Sequence, residues 1–153
     1  MKVGGDLADE RQRGAVAGLA ASGVMALAML LDMRATRERT NEFRLIGELA
    51  PAGRRAWPVL GPLLHAVNGA ALGAVFGLTH HGLPGPLWAR GLLFGQVENL
   101  ILWPAMVVLD RLHPAIRRGA LPRFNRPIVF LQEVFRHAVY GVTLGLVYDR
   151  LSR

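Results

Sequence analysis

QEVFRHAVYGVTLGLVY, residues 132–148, is an apolar, helix-length stretch that contains three ionisable side chains. Part of this stretch occurs twice in the chain. Residues 65–76 read HAVNGAALGAVF and residues 137–148 read HAVYGVTLGLVY, with seven of the twelve positions identical. The likeness predicts a duplicated helix, with a histidine near the start of each copy.

Glycines follow each histidine at four-residue intervals, at 69, 73 and 77 after His65 and at 141 and 145 after His137. Residues four apart share one face of a helix. In lipid, a stripe of small residues lets two helix backbones approach closely, and a polar side chain on it can bond across the interface. We therefore predict that both histidines face protein and that helices pack at Gly14, Gly18, Gly69, Gly73, Gly77, Gly91, Gly95, Gly141 and Gly145.

The composition is that of a membrane protein, with 52% hydrophobic and 19% charged residues, against roughly a quarter charged in soluble domains. Residues 14–31 and 59–79 contain no Asp, Glu, Lys or Arg, and a bilayer core needs about 20 such residues. A soluble bundle is the alternative, but its helices require a polar face. We predict an all-α, integral membrane four-helix bundle in one domain, residues 1–153, with spans at 14–33, 59–79, 87–109 and 127–148.

The duplication extends over most of the chain. Residues 13–34 align without a gap with residues 90–111, and the loop motif PAGRR from Pro51 matches PAIRR from Pro114. Insertions between the copies then fall in loops, as in tandem repeats. The pattern predicts two transmembrane hairpins, in repeat halves 13–79 and 90–150, related by a pseudo-twofold axis along the membrane normal.

The net charge of +7 comes mainly from arginines in the segments 34–55 and 111–126. Since both segments adjoin apolar spans, we expect them to contact anionic lipid headgroups and not nucleic acid. The positive-inside rule places both in the cytoplasm and both chain termini outside it.

Polar side chains inside the third and fourth spans are the candidates for a functional site. An ionised group at mid-membrane costs several kcal/mol unless it is paired, so these groups must meet each other. The helical spacing and the repeat together predict one buried polar cluster: Glu98, Glu133, Arg136, His137, His65, Asn68 and Tyr140.

Three interpretations of this cluster remain open. Glu133 and Arg136 could pair along their helix while the histidines bridge helices; carboxylates and imidazoles could handle protons or ions; or His65 and His137 could hold a haem between them. A di-metal site fits poorly, because such sites use Glu-x-x-His pairs, whereas Glu133 and His137 are four apart and Gly61 matches Glu133 in the first copy. No cofactor and no metal are predicted.

Three stretches resemble the small YagU-like inner-membrane proteins of bacteria: HAVNGAALGAVFGL, LWARGLLFGQVENLILWPAM and QEVFRHAVYGV. The matching features are a helix with an initial histidine, a Trp-x-x-Gly-x-x-x-Gly helix that ends near a proline, and a Glu-x-x-x-His helix. They fall within about residues 60–145, on His65, on Trp88, Gly91, Gly95 and Pro104, and on Glu133 and His137. The resemblance implies a multi-pass protein of the bacterial cytoplasmic (inner) membrane and supplies no reaction.

The absence of cysteine excludes disulfides and thiolate metal sites, and no nucleophile or phosphate-binding motif occurs. We therefore expect a non-enzymatic membrane protein that acts through helix contacts, as an accessory subunit of a membrane complex or as a homo-oligomer. The alternatives are a small proton or ion conduit that uses the buried Glu and His side chains, and a bis-His haem-binding protein.

Overall fold

The computed structural model describes residues 3–50 and 53–153, with side chains described from Asp6 onward. Pro51, the first residue of the PAGRR motif, lies outside these ranges. The described residues form helices and turns and contain no strand, which confirms the all-α prediction. The helices are α1 (Val3–Thr36), α2 (Glu42–Gly47), α3 (Gly53–Thr79), α4 (Leu87–Leu112), α5 (Pro114–Arg117) and α6 (Pro127–Ser152), with a 3₁₀ turn at His80–Gly82.

Within the described residues, three helices are long and apolar enough to cross a membrane: Asp6–Thr36, Gly53–Gly82 and Leu87–Leu112. They contain the first three predicted spans. Helix α6 has a comparable length of 26 residues, but its polar side chains lower its mean hydropathy and it does not belong to this group.

The four long helices pack as two pairs. Helix α1 packs along α3, helix α4 packs along α6, and α1 also packs against α6 and so joins the pairs. The short helix α2 lies against α3. Between α3 and α4, by contrast, the described residues form no packed interface of similar extent.

Glycines bring the helices of each pair into backbone contact. A Cβ added at Gly14 would lie less than 3.0 Å from the carbonyl oxygen of Gly73, and one at Gly91 less than 3.0 Å from that of Gly141. Each of the nine glycines singled out in the sequence lies this close to the partner helix of its own pair, eight of them to a backbone carbonyl oxygen and Gly69 to the side chain of Ser22. The glycine stripes are therefore occupied by contacts within the chain.

The register of the two pairs differs by one turn from the ungapped alignment. A Cβ at Gly18 meets the carbonyl oxygen of Gly69, and a Cβ at Gly91 meets that of Gly141. Since positions 69 and 141 are equivalent in the duplicated helix, the packing equates Gly18 with Gly91, whereas the alignment equates Gly14 with Gly91. The residues that match between α1 and α4 in the ungapped alignment therefore do not all occupy equivalent positions in the two helix pairs.

Two apolar clusters lie toward opposite ends of the long helices. The cluster near the chain termini contains Ala17, Ala21, Met25, Phe76, Tyr140, Leu144 and Tyr148. The other, near the long connecting segments, contains Leu45, Ala115, Ile116, Leu121, Phe124 and Val129. The polar residues of α6 at positions 132–137 lie between these clusters along that helix.

The connecting segments are tied to each other by ion pairs. Glu48, whose side chain is 1% exposed, accepts hydrogen bonds from Arg44 Nε at 2.7 Å and from Arg118 Nη2 at 2.5 Å. Arg126 makes two hydrogen bonds to the carboxylate of Glu38, at 2.8 and 3.0 Å. Part of the arginine charge of these segments is therefore neutralised inside the protein.

Glu48 makes the stability of the fold depend on pH. Burial of the carboxyl group favours its neutral form, but the hydrogen bonds and charges of Arg44 and Arg118 outweigh burial and lower the pKa of Glu48 below its ordinary value of 4.5. A carboxyl group whose pKa is lower in the folded state stabilises that state above its unfolded pKa. This contribution is lost as the pH falls through the folded-state pKa.

We expect Glu48→Gln to lower the free energy of unfolding by about 1 to 3 kcal/mol at neutral pH, because hydrogen bonds to charged groups contribute this much. The deficit relative to wild type should shrink as the pH falls below 4.5. Thermal melting of both proteins in detergent across this pH range tests it. A deficit that stays constant with pH would show that the ionised form of Glu48 is not what stabilises the fold.

Candidate functional site

A cavity of about 570 Å³ lies between α3 and α4, which do not form an extended packed interface. Its walls are mainly apolar side chains of α2, α3 and α4: Leu45, Ile46, Leu64, Leu72, Leu102 and Met106. Val67 on one helix and Leu102 on the other line the cavity and are also exposed. The cavity therefore opens sideways between the helices, and its opening is apolar.

Six of the seven polar residues that the sequence grouped together line this cavity: Glu98, Glu133, His137, His65, Asn68 and Tyr140. Three further polar residues, Ser22, Glu42 and Asn99, line it as well. Arg136 does not, since it is completely buried beside the cavity. The repeat and the helical spacing thus grouped residues from α3, α4 and α6 that the fold brings to one site.

His137 and Glu98 form a hydrogen-bonded pair on the cavity wall. The Nε2 atom of His137 lies 2.9 Å from Oε2 of Glu98, and its Nδ1 atom lies 2.8 Å from the carbonyl oxygen of Glu133. A carbonyl oxygen only accepts hydrogen bonds, so Nδ1 carries a proton and donates it. The contact between Nε2 and Glu98 then holds one further proton, either on the imidazole or on the carboxyl group.

His65 occupies the equivalent position on α3 but has different partners. Its Nε2 atom donates to the carbonyl oxygen of Ser22 on α1 at 3.2 Å. Its Nδ1 atom lies 3.7 Å from Oε2 of Glu42, and its ring meets that of Phe43 edge to face at 5.3 Å. The imidazole therefore links α3 to α1 and α2.

Arg136 has more partners than the sequence indicated. It makes the hydrogen bond to Glu133 on the same helix that one interpretation of the sequence contained, at 3.0 Å from Oε1. The shorter bonds go to Asp32 on α1, with both its carboxylate oxygens at 2.6 Å. Glu42 Oε1 accepts another bond at 2.9 Å, so one guanidinium holds three carboxyl groups.

The chain reversal after α1 completes this arrangement. Arg37 has a positive φ of 60°, and the turn brings Thr40 back to Arg136, whose Nη2 donates to Thr40 Oγ1 at 2.8 Å and whose Nη1 donates to the Thr40 carbonyl at 3.0 Å. Gln132 bonds to both Asp32 and Thr40, each at 2.9 Å. These bonds satisfy the buried guanidinium, as a charge out of water requires.

Asp32 is the residue that sequence reasoning missed. We placed it at the end of the first span and did not assign it to the cluster. Its position gave a signal, because Asp32 lies on the same helix face as Gly14, Gly18 and Ser22, five helical turns from the first of them. The sequence analysis also left out Glu42, which lies in the segment 34–55 that we expected to contact lipid headgroups.

The site contains more carboxyl groups than permanent cations. Asp32, Glu42, Glu98 and Glu133 have side chains that are at most 14% exposed, and the guanidinium of Arg136 is the one permanent positive charge bonded to them among the described residues. Protonation of both imidazoles would still leave one carboxylate in excess. The site must therefore bind additional protons or another cation to approach neutrality.

Tyr140 and Asn68 also line the cavity. The Tyr140 hydroxyl donates to the carbonyl oxygen of Gly69 at 2.8 Å and so connects α6 to α3. Asn68 lines the cavity from α3 and is exposed at its opening.

Asn99 carries a buried donor with no partner. It is 3% exposed, it lines the cavity, and its Nδ2 atom is the one buried side-chain nitrogen or oxygen without a hydrogen bond in the described part of the chain. Leaving such a donor unpaired costs about 1 to 3 kcal/mol. An occupant of the cavity with an acceptor atom would recover this energy.

The geometry offers little support for the haem alternative. Both ring nitrogens of His137 are engaged, one by Glu133 and one by Glu98. Ligation by His137 would require the Glu98 pair to break.

Fold and site together define an all-helical protein with three apolar helices of membrane-spanning length and an acidic, laterally open cavity. The chain belongs to DUF6789, a family of unknown function whose model matches residues 8–153. No curated protein and no solved structure matches the chain. The family match extends across both helix pairs, so they occur together as a unit.

Proposed function

We propose that this chain is a non-enzymatic, multi-pass protein of the bacterial cytoplasmic membrane that binds an amphiphilic molecule in the cavity between α3 and α4. Its four long helices form a bundle of two tandem hairpins, with the long connecting segments in the cytoplasm. The bacterial setting rests on the resemblance to the YagU-like proteins. The observation that carries the function is the cavity with its acidic inner wall.

The proposal that α6 spans the bilayer rests on which way its side chains face. Gln132, Glu133 and Arg136 are buried, whereas Leu131 and Phe135 on the same helix are exposed. A helix with polar groups inside and apolar groups outside suits a lipid environment, in which ionisable residues face the protein interior. Helix α6 would then be the fourth span despite its lower mean hydropathy.

The size and opening of the cavity favour a membrane-soluble ligand. Small-molecule sites typically enclose about 300 to 1,000 Å³, and this cavity encloses about 570 Å³. Its opening lies between apolar, exposed side chains of α3 and α4, at a depth that acyl chains reach. A molecule with an apolar body and a polar group could enter from the lipid and place the polar group at Glu98.

The geometry favours ligand binding over two of the three functions considered for the sequence, contact with another subunit and ion conduction. The glycine stripes that suggested contacts with another subunit are occupied within the chain, so they offer no surface to a partner. A conduit needs a polar path to both sides of the membrane, yet apolar clusters lie on either side of the polar residues. We expect anionic headgroups at the exposed arginines, as the charge distribution indicates.

Native mass spectrometry of the protein purified in mild detergent tests the proposal. We expect a bound amphiphile on the wild type and its loss from Leu102→Trp, because the larger side chain would fill the cavity. Ile101→Trp is the matched control, since Ile101 is 70% exposed and does not line the cavity. Equal occupancy of the two variants, or a wild type that carries no molecule and binds none added, would overturn the proposal.

A further inference from the structure

We infer that the occupant of the cavity is a lipophilic organic cation, which binds at Glu98 in exchange for the proton held between Glu98 and His137. This inference rests on the proposed function, because it names the chemical class of the molecule that the cavity binds. It is carried by the excess of carboxyl groups, by the geometry of the Glu98–His137 pair and by the lining of the cavity.

Glu98 is the carboxyl group available to a ligand. Asp32, Glu42 and Glu133 are all bonded to Arg136, whereas the one charged partner of Glu98 among the described residues is His137. Glu98 also lines the cavity. A cation in the cavity would therefore meet a carboxylate whose neutralisation depends on a single shared proton.

The hydrogen bonds of His137 determine which proton leaves when the cation binds. Because Nδ1 donates to the Glu133 carbonyl, the imidazole stays neutral and fully bonded on that side after it loses the proton on Nε2. Binding of a monovalent cation and release of one proton leave Glu98 ionised and His137 neutral. The net charge of the site is then the same before and after the exchange.

The groups around the pair make its surroundings negative. The titratable and charged side chains that line the cavity around the pair are Glu133 and Tyr140 on α6, Glu42 on α2 and His65 on α3. Behind them lie Arg136, which bonds to Glu42 and Glu133, and Asp32 on α1, which bonds to Arg136. Carboxyl groups outnumber the one guanidinium among them. In a region of low dielectric constant this excess attracts a cation and repels an anion.

The remaining lining suits the body of such a ligand. Trp103, Phe124 and Tyr140 line the cavity, and the faces of aromatic rings attract organic cations. Asn99 adds a second, independent sign of a ligand, because its buried Nδ2 has no partner. A hydroxyl, ether or carbonyl oxygen on the ligand would accept its hydrogen bond.

The test compares two probes of similar shape and different charge, tetraphenylphosphonium and neutral triphenylphosphine oxide, by calorimetric titration of the full chain in detergent. We expect the cation to bind at least about tenfold more tightly than the neutral probe. Its affinity should rise by up to about tenfold per pH unit, with release of about one proton per cation, because a proton competes for the same carboxylate. Titration in two buffers of different protonation enthalpy counts the released protons.

The variant Glu98→Gln should lose the preference for the cation and the proton release, while it still binds the neutral probe. Glu10→Gln is the control, because Glu10 pairs with His81 outside the cavity. This variant should keep both the preference for the cation and the proton release. Equal binding of the two probes to the wild type, or cation binding without proton release, would overturn the inference and leave the proposed function standing. If neither probe binds the wild type, the proposed function fails as well.

Discussion

Arg136→Met is expected to destabilise the protein more than any other single polar substitution. The side chain is completely buried, and its removal leaves Asp32, Glu42 and Glu133 without their shared cation. Truncating one member of a buried ion pair typically costs about 3 to 5 kcal/mol, and here three carboxyl groups lose their partner together. The thermal midpoint in detergent and the yield of monodisperse protein measure the effect.

Two comparisons locate the interaction that matters most. Asp32→Asn should cost more than Glu133→Gln, because Asp32 accepts two bonds of 2.6 Å from Arg136 while Glu133 accepts one of 3.0 Å. The double variant Asp32→Leu with Arg136→Met should recover part of the loss, since apolar replacements of a buried pair need no partner. An Arg136→Met protein that melts like the wild type would contradict this account of the site.

Gly73→Leu and Gly145→Leu are expected to have the second largest effect. A Cβ at Gly73 would lie less than 3.0 Å from the Gly14 carbonyl oxygen, and one at Gly145 less than 3.0 Å from that of Leu87. A leucine must therefore push the two helices of its pair apart along their length. Overpacking commonly costs about 1 to 3 kcal/mol, and a shift of whole helices places these variants at or above the upper end.

Gly23→Leu provides the matched control for this prediction. Gly23 also lies in a long apolar helix, but a Cβ there would meet nothing within 4 Å. Replacing it should leave the stability unchanged or raise it slightly, because glycine lowers helix stability by about 1 kcal/mol relative to alanine. If all three glycine variants had the same thermal midpoint, close helix approach would not be what these glycines provide.

The helix pairs were predictable because close packing leaves a periodic pattern in the sequence. Backbones can approach only where side chains are absent, so Gly69, Gly73, Gly141 and Gly145 recur at four-residue intervals on the packed face. The repeat of the histidine and its glycines then indicated which helices belong together. The shift of one turn between the pairs could not be predicted. Gly14 and Gly18 lie four residues apart on the same face of α1, so either of them could correspond to Gly91 in α4.

The pairing of Arg136 was predictable only in part. From sequence, the nearest carboxyl group is Glu133, one turn away on the same helix, whereas Asp32 is 104 residues distant. Helical spacing cannot show that α1 packs against α6 or that the turn at Arg37 returns Thr40 to the site. The excess of carboxyl groups is therefore known only from the fold, which places Asp32 and Glu42 next to Arg136.

The cavity also lay beyond sequence reasoning. Its lining residues, such as Leu64 on α3 and Leu102 on α4, lie in apolar segments whose sequence does not distinguish them from helix faces that pack against a neighbour. Whether two such helices touch or stand apart depends on the angles set by the other helix contacts. The unpaired amide of Asn99 is likewise visible only once its neighbours are known.

Intermolecular NMR contacts in lipid nanodiscs test most directly whether the cavity binds a ligand. With methyl-labelled leucine, isoleucine and methionine, the protons of triphenylphosphine oxide should contact Met25, Leu102 and Met106, which line the cavity, and these contacts should vanish in Leu102→Trp. The neutral probe makes the result independent of the charge of the natural ligand. Contacts confined to outward-facing methyl groups such as that of Ile101, unchanged in Leu102→Trp, would contradict the proposed binding site.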